Sequence, residues 1–139
     1  MSDLTPVSAT NGYGPVERDM SNGGLGAGDG GTITLNGTTY AKGLGVHSTS
    51  NVTYALDGQS QAFAADVGID DECGSAGSVV FQVFVNGVKR FQSPKLTGAS
   101  PTQPVLVDTA GATQLKLTVT NGGDDRACDH ADWANARLT

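Results

Sequence analysis

The chain has 139 residues, of which 37% are hydrophobic, only 16% are charged and 20 are glycine. That is one domain with enough apolar mass for a core, and its Thr-, Val-, Asn- and Gly-rich make-up suits an all-β protein better than a helical one. The net charge of −6, with no run of Lys or Arg, excludes a nucleic-acid binder on the sign of its field, and no apolar run reaches the length of a membrane span.

In chain order, residues 1–31 read as an irregular segment folded over the rest of the domain. A structureless stretch of that length is often functional. Within it only "GPVERDMS" has the character of a short helix, with Pro15 in its first turn. "TITL-NG-TTYA" predicts a β-hairpin, because Asn36-Gly37 suits a type I′ turn. "GLGVHS" and "NVTYAL" follow as strands, the second with Val52, Tyr54 and Leu56 on one face. "AFAADVGI" alternates Phe63, Ala65, Val67 and Ile69. "SVVFQVFV-NG-VKRFQS" is a second hairpin, turning at Asn86-Gly87 with Val79, Phe81, Val83 and Val85 inward. "PVLVDT", then "QLKLTVT" with Leu115, Leu117 and Val119 inward, and a closing "ADWANARLT" complete the pattern. Eight or nine short strands punctuated by turns predict a single antiparallel β-sandwich or jelly roll over 1–139.

Two cysteines, Cys73 in "DDECGS" and Cys128 in "DDRACDH", sit in loop-like sequence without CxxC spacing. A disulfide is the preferred reading over two thiols or a metal site. Closing that loop would stabilise the fold by about 4 kcal/mol. It would also join two acidic clusters, Asp70-Asp71-Glu72 and the "NGGDDRACDHADW" stretch. A third polar cluster, Glu17-Arg18-Asp19, lies near Tyr13.

Several chemistries compete for these residues. Paired carboxylates hydrolyse glycosides, but nothing singles out a pair, and neither a nucleophile elbow nor an HExxH motif is present. Calcium suits the oxygen-rich loop at Asp29-Gly30-Gly31, against an Asx turn as the alternative. Sugar recognition needs an aromatic platform and planar polar partners. Tyr13 and Trp133 are the candidate platforms, with core packing the favoured alternative for Trp133. Asp70, Asp71 and Glu72 are either hydroxyl partners or a solvated turn with a cationic neighbour. His47 alternates away from Val46, so it faces off the core if Val46 faces in. Two histidines are too few for zinc. His47 is then either a ligand contact or a half-buried residue bonded to an aspartate.

Together "SATNGYGPVERDMSNG", "DGGTITLNGTTYAKGLGVHS", "VGIDDECGSAGSVVFQVFVNG" and "DHADWANARL" resemble the NPCBM family, family 51 of the carbohydrate-binding modules. The resemblance runs in order along nearly the whole chain. It implies a galactose-binding-domain-like β-sandwich, non-catalytic and monomeric as an isolated module, appended to a secreted glycoside hydrolase such as an α-galactosidase. It implies galactose-containing glycans and the parent's catalytic domain as partners, a structural Ca²⁺, here placed at Asp29, and an extracellular location. No nucleic acid or membrane partner is expected. The start "MSDLTPV" shows no signal of its own. The ligand site is expected among Tyr13, Glu17, His47, Asp70, Asp71, Glu72, Asp132 and Trp133. Tyr13 departs from the Trp that the family often carries there, and the Cys73–Cys128 pair is an addition to the family pattern. A structural spacer without a ligand is the alternative function.

Overall fold

The computed structural model describes residues 1–23, 26–73, 77–122 and 129–139; of Cys73 only the backbone is described. The Cys73–Cys128 pairing and the acidic stretch Asp124-Asp125-Arg126 therefore lie outside the described residues. The strands are β1 (Ser8–Thr10), β2 (Glu17–Arg18), β3 (Ile33–Leu35), β4 (Thr38–Tyr40), β5 (Gly43–His47), β6 (Ser50–Ala55), β7 (Ala62–Ile69), β8 (Ser78–Val85), β9 (Val88–Gln92), β10 (Leu96–Thr97), β11 (Gln103–Asp108), β12 (Gln114–Thr120) and β13 (His130–Leu138). One 3₁₀ turn spans Asp71–Cys73. A six-stranded sheet runs β1-β6-β12-β8-β10 with β9 also on β8, a five-stranded sheet runs β11-β7-β13-β5-β2, and β3 and β4 form a two-stranded sheet. All pairings are antiparallel. The expected all-β sandwich is what the chain forms.

The core is the meeting of the two inner faces. Val52 and Tyr54 of β6, Val79, Phe81 and Val83 of β8, and Leu115, Leu117 and Val119 of β12 meet Phe63 and Val67 of β7 and Trp133 of β13. The period-2 alternation in the sequence marks these positions correctly, because each strand has one face to bury. Both Asn-Gly turns form, with Asn36 at φ 50° and Gly37 at 81°, and Asn86 at 51° and Gly87 at 80°. Two consecutive positive φ values are what a type I′ hairpin requires.

The expected helix at "GPVERDMS" does not form. Glu17 and Arg18 instead pair as an edge strand with Gly45 and Leu44 of β5, and Asp19 leaves at φ 61°. Edge pairing and burial of Glu17 override a weak local propensity. The second departure is β5, in which all five residues are buried although only Leu44 and Val46 belong to the main core. Its other side is covered by the N-terminal segment and by the β3–β4 hairpin, whose Ile33 and Leu35 form a small second core with Ala134.

Trp133 is fully buried, with edge-on contacts to Phe81 at 5.0 Å and Phe63 at 6.1 Å. Trp133→Ala is expected to lower unfolding stability in urea by about 3–5 kcal/mol. Leu106→Ala, at a site 76% exposed, should change it by less than about 0.5 kcal/mol.

Candidate functional site

The site is built on the outer side of the five-stranded sheet. In the β5–β13 ladder His47 lies opposite His130, Val46 opposite Ala131 and Gly45 opposite Asp132. Val46 and Ala131 enter the core, so the two histidines and Asp132 share the other face. That face is roofed by the chain itself. A Cβ on Gly45 would sit 2.3 Å from Met20 O and 2.5 Å from Asn22 N, so only glycine admits the roof. Asn22 Nδ2 donates to the carbonyls of Tyr13 and Pro15, and Asn11 Nδ2 donates to Tyr13, Gly14 and Pro15 carbonyls while its Oδ1 accepts the His47 amide. These two asparagines hold the Tyr13 loop against β5. The loop tip is fixed by Gly12, whose Cβ would overlap Ser48 O at 1.8 Å.

A rim of four side chains results. Tyr13 is 43% exposed and lies 5.8 Å from the His47 ring. The His47 ring meets His130 edge-on at 5.2 Å. The Nδ1–H of His47 donates to Ser48 O at 2.9 Å, and the Nδ1–H of His130 is shared between Asn22 O and Glu72 Oε1, both at 2.6 Å. Glu72 also accepts from Ser21 Oγ at 2.8 Å and keeps a third of its side chain exposed. An exposed aromatic ring beside two imidazoles and an anchored carboxylate can stack one apolar face and bond hydroxyls around it. Asp129 braces the rim from below, accepting from Ser48 Oγ and Ser78 N.

Of the eight residues expected at a sugar site, the structure brings Tyr13 and Glu72 to the surface, with His47, only 6% exposed, packed beside the Tyr13 ring. The others do different work. Trp133 is corrected to a core residue, since its ring has no exposed face. Glu17 is 4% exposed and its carboxylate accepts the Gly28 and Asp29 amides, closing the roof loop. Asp71 accepts the Asn36 and Gly37 amides and so fastens the first hairpin turn. Asp70 is buried and accepts the Thr34 and Glu72 amides. Asp132 is fully buried. His130 was not among the expected site residues; its signal was the same-face spacing to Asp132 in "DHAD".

The chain matches the NPCBM/NEW2 domain over residues 1–139. It belongs to the NPCBM family. Among solved structures it is similar to CBM51 from Clostridium perfringens GH95 in complex with methyl-galactose, with TM-score 0.90 and 38% identity over 99% of this chain and 97% of that one. It is also similar to CBM51-2 in complex with GlcNAc from Clostridium perfringens ZmpB, with TM-score 0.89 and 33% identity over 99% of this chain and 30% of that one. A curated Renibacterium salmoninarum protein named "Putative endo-alpha-N-acetylgalactosaminidase" is 40% identical over 93% of this chain, which spans 8% of its length.

The structure places Asp29, the residue expected to hold calcium, in a surface turn. That residue is exposed and its Oδ2 accepts the Gly26 amide, as in the alternative Asx-type turn. Among the described residues no three His, Cys, Asp or Glu side chains are grouped to hold a metal. A hard cation also accepts amide and backbone oxygens. Both Asp132 carboxyl oxygens and Asn22 Oδ1 are buried without a hydrogen-bond donor from the chain, and the residues flanking Asp132 across the sheet are Gly45 and Gly68. Buried oxygens of this kind are the donors a hard cation such as Ca²⁺ takes. Without a cation, burial holds the Asp132 carboxyl well above the usual carboxylate range, helped by a hydrogen bond to Asp70 and by the charges of Asp70, Glu72 and Asp71.

A carboxyl whose folded pKa is raised stabilises the fold fully below its unfolded pKa of about 3.9. That stability is lost as pH rises through the folded value. In chelator, Asp132→Asn should therefore melt above the wild type at pH 7 by at least about 3 °C. The difference should close as the pH approaches 4, measured by calorimetry on both proteins.

Proposed function

We propose that this NPCBM domain is a non-catalytic carbohydrate-binding module that holds a terminal galactose or galactose-bearing glycan at the Tyr13–His47–His130–Glu72 rim. In this reading it keeps an attached, secreted glycoside hydrolase on its substrate. The observation that carries the reading is the exposed Tyr13 ring beside the two histidines and Glu72, in a chain 38% identical over nearly its whole length to a module solved with methyl-galactose. Tyr13 would stack on the C–H face of the ring, and Glu72 and the imidazoles would take the hydroxyls. One sugar on a shallow rim buries few atoms, so affinity should fall on the order of mM to μM. Function then comes from tethering, which raises the local concentration of catalytic domain on the glycan. The GlcNAc-bound neighbour supports an N-acetylhexosamine as the second sugar to test.

Ca²⁺, held through Asp132 with Asn22 Oδ1, would neutralise a buried carboxylate and clamp the roof onto β5.

Titration calorimetry with methyl-galactose and with GlcNAc tests the sugar site. The wild type should bind methyl-galactose, and Tyr13→Ala, with an unchanged melting temperature, should weaken binding more than about tenfold, consistent with loss of a stacked ring. Silence of the folded domain across a glycan array would assign it the spacer role instead. For the cation, Ca²⁺ at a hundred times its dissociation constant should stabilise the wild type by about 2.7 kcal/mol. Asp132→Asn should show no such shift; an equal shift would move the ion elsewhere.

A further inference from the structure

The solvent side of the six-stranded sheet differs in charge from the rest of the molecule. The chain carries 14 acidic and 8 basic residues, yet strands β1, β6, β8, β9, β10 and β12 contain no Asp or Glu. Their charged residues are Lys89, Arg90 and Lys116. Register places these side chains in order. One row across the sheet is Ser8, Thr53, Lys116, Phe84 and Lys89. The adjacent row is Thr10, Asn51, Thr118, Gln82 and Gln92. Both rows face away from the core, since Val52, Val83 and Leu117 between them are buried.

The polar groups in these rows are already oriented. Thr118 Oγ1 donates to Asn51 Oδ1 at 2.8 Å. Gln92 Oε1 accepts from Gln82 Nε2 at 3.2 Å and from Lys89 Nζ at 2.6 Å. The Lys116 ammonium stands 4.5 Å from the centroid of the half-buried Phe84 ring. Among the described residues neither Lys89 nor Lys116 forms an ion pair. Lysine on an edge strand is a common guard against sheet-to-sheet pairing, and that explains Lys89. It does not explain Lys116 and Phe84, because β12 and β8 are interior strands.

We propose that this face is a second glycan-binding surface, for an extended anionic polysaccharide. The Tyr13 rim would take a sugar end, whereas this face would take a chain lying across the strands. Neighbouring strands are about 4.8 Å apart, so the row through Gln82 offers one polar group per strand, and the row through Lys116 does so except at Phe84. The Lys116 ammonium, held over the Phe84 ring, and Lys89 beside it would receive sulfate or carboxylate. The molecule as a whole repels polyanions, so attraction is confined to within a Debye length of the sheet, about 10 Å at 0.1 M salt. The binding is therefore salt-sensitive and depends on few cations.

The test uses the whole domain with three probes: chondroitin sulfate, polygalacturonate and neutral galactan. Retention in affinity electrophoresis at low salt is expected for one or both anionic probes; sulfate binding without uronate binding, or the reverse, names the anion. The double variant Lys89→Gln/Lys116→Gln should lose retention more than tenfold while still binding methyl-galactose as the wild type does. Phe84→Leu, which preserves a packed apolar side chain, should lose several-fold, an effect that simple ion exchange would not produce. Tyr13→Ala should keep full retention. The proposal is overturned if neither anionic probe is retained, or if the Lys89/Lys116 variant binds them unchanged. It is also overturned if methyl-galactose or Tyr13→Ala abolishes retention, since the rim would then carry it.

Discussion

The backbone of residues 20–22 lies directly on Gly45, and the rest of the site depends on that contact. A sheet in a sandwich ordinarily buries one face and wets the other. Here the second face of β5 and β13 is roofed, and the contact leaves no volume for a side chain at Gly45. Packing backbone on backbone demands that the polar groups of the roof be satisfied locally. Asn11 and Asn22 do this with bonds to the carbonyls of residues 13–15, and Glu17 does it for the amides of Gly28 and Asp29.

From that roof follow both the burial of Asp132 and the exposure of Tyr13. The carboxyl of Asp132 is removed from water with Asp70 as its neighbour, an arrangement that calls for either a proton or a cation. Tyr13, carried at the edge of the same segment, is held out over the histidine pair. One segment thus shapes a dry oxygen-lined interior and a wet aromatic rim a few residues apart. The opposite sheet, with no roof among the described residues, keeps an ordinary solvated face, and its strands' exclusion of acidic residues gives that face its own electrostatic character.

The carboxylates show why function is harder to read than fold. Asp70, Asp71 and Glu72 are consecutive in sequence and look equivalent. In the structure Asp70 is buried on backbone amides, Asp71 fastens a hairpin turn, and only Glu72 reaches the rim. Which acid faces water depends on a hairpin more than thirty residues earlier. Trp133 is a similar case. Alternation along β13 places it opposite Asp132, but only the partner strands decide that its face is the core.

The sequence by itself determined the longer strands from β3 onward, both Asn-Gly hairpins and the main core, because period-2 burial and turn chemistry are local. It also marked the family, through short segments that recur in order along the chain. Tertiary structure alone decided the remainder: that "GPVERDMS" pairs as an edge strand, that His47 is covered and that His130 joins the rim. It also gathered cations scattered along the chain onto one acid-free sheet face. These outcomes turn on contacts between segments distant in sequence, where volume and hydrogen-bond satisfaction act and no local pattern records them.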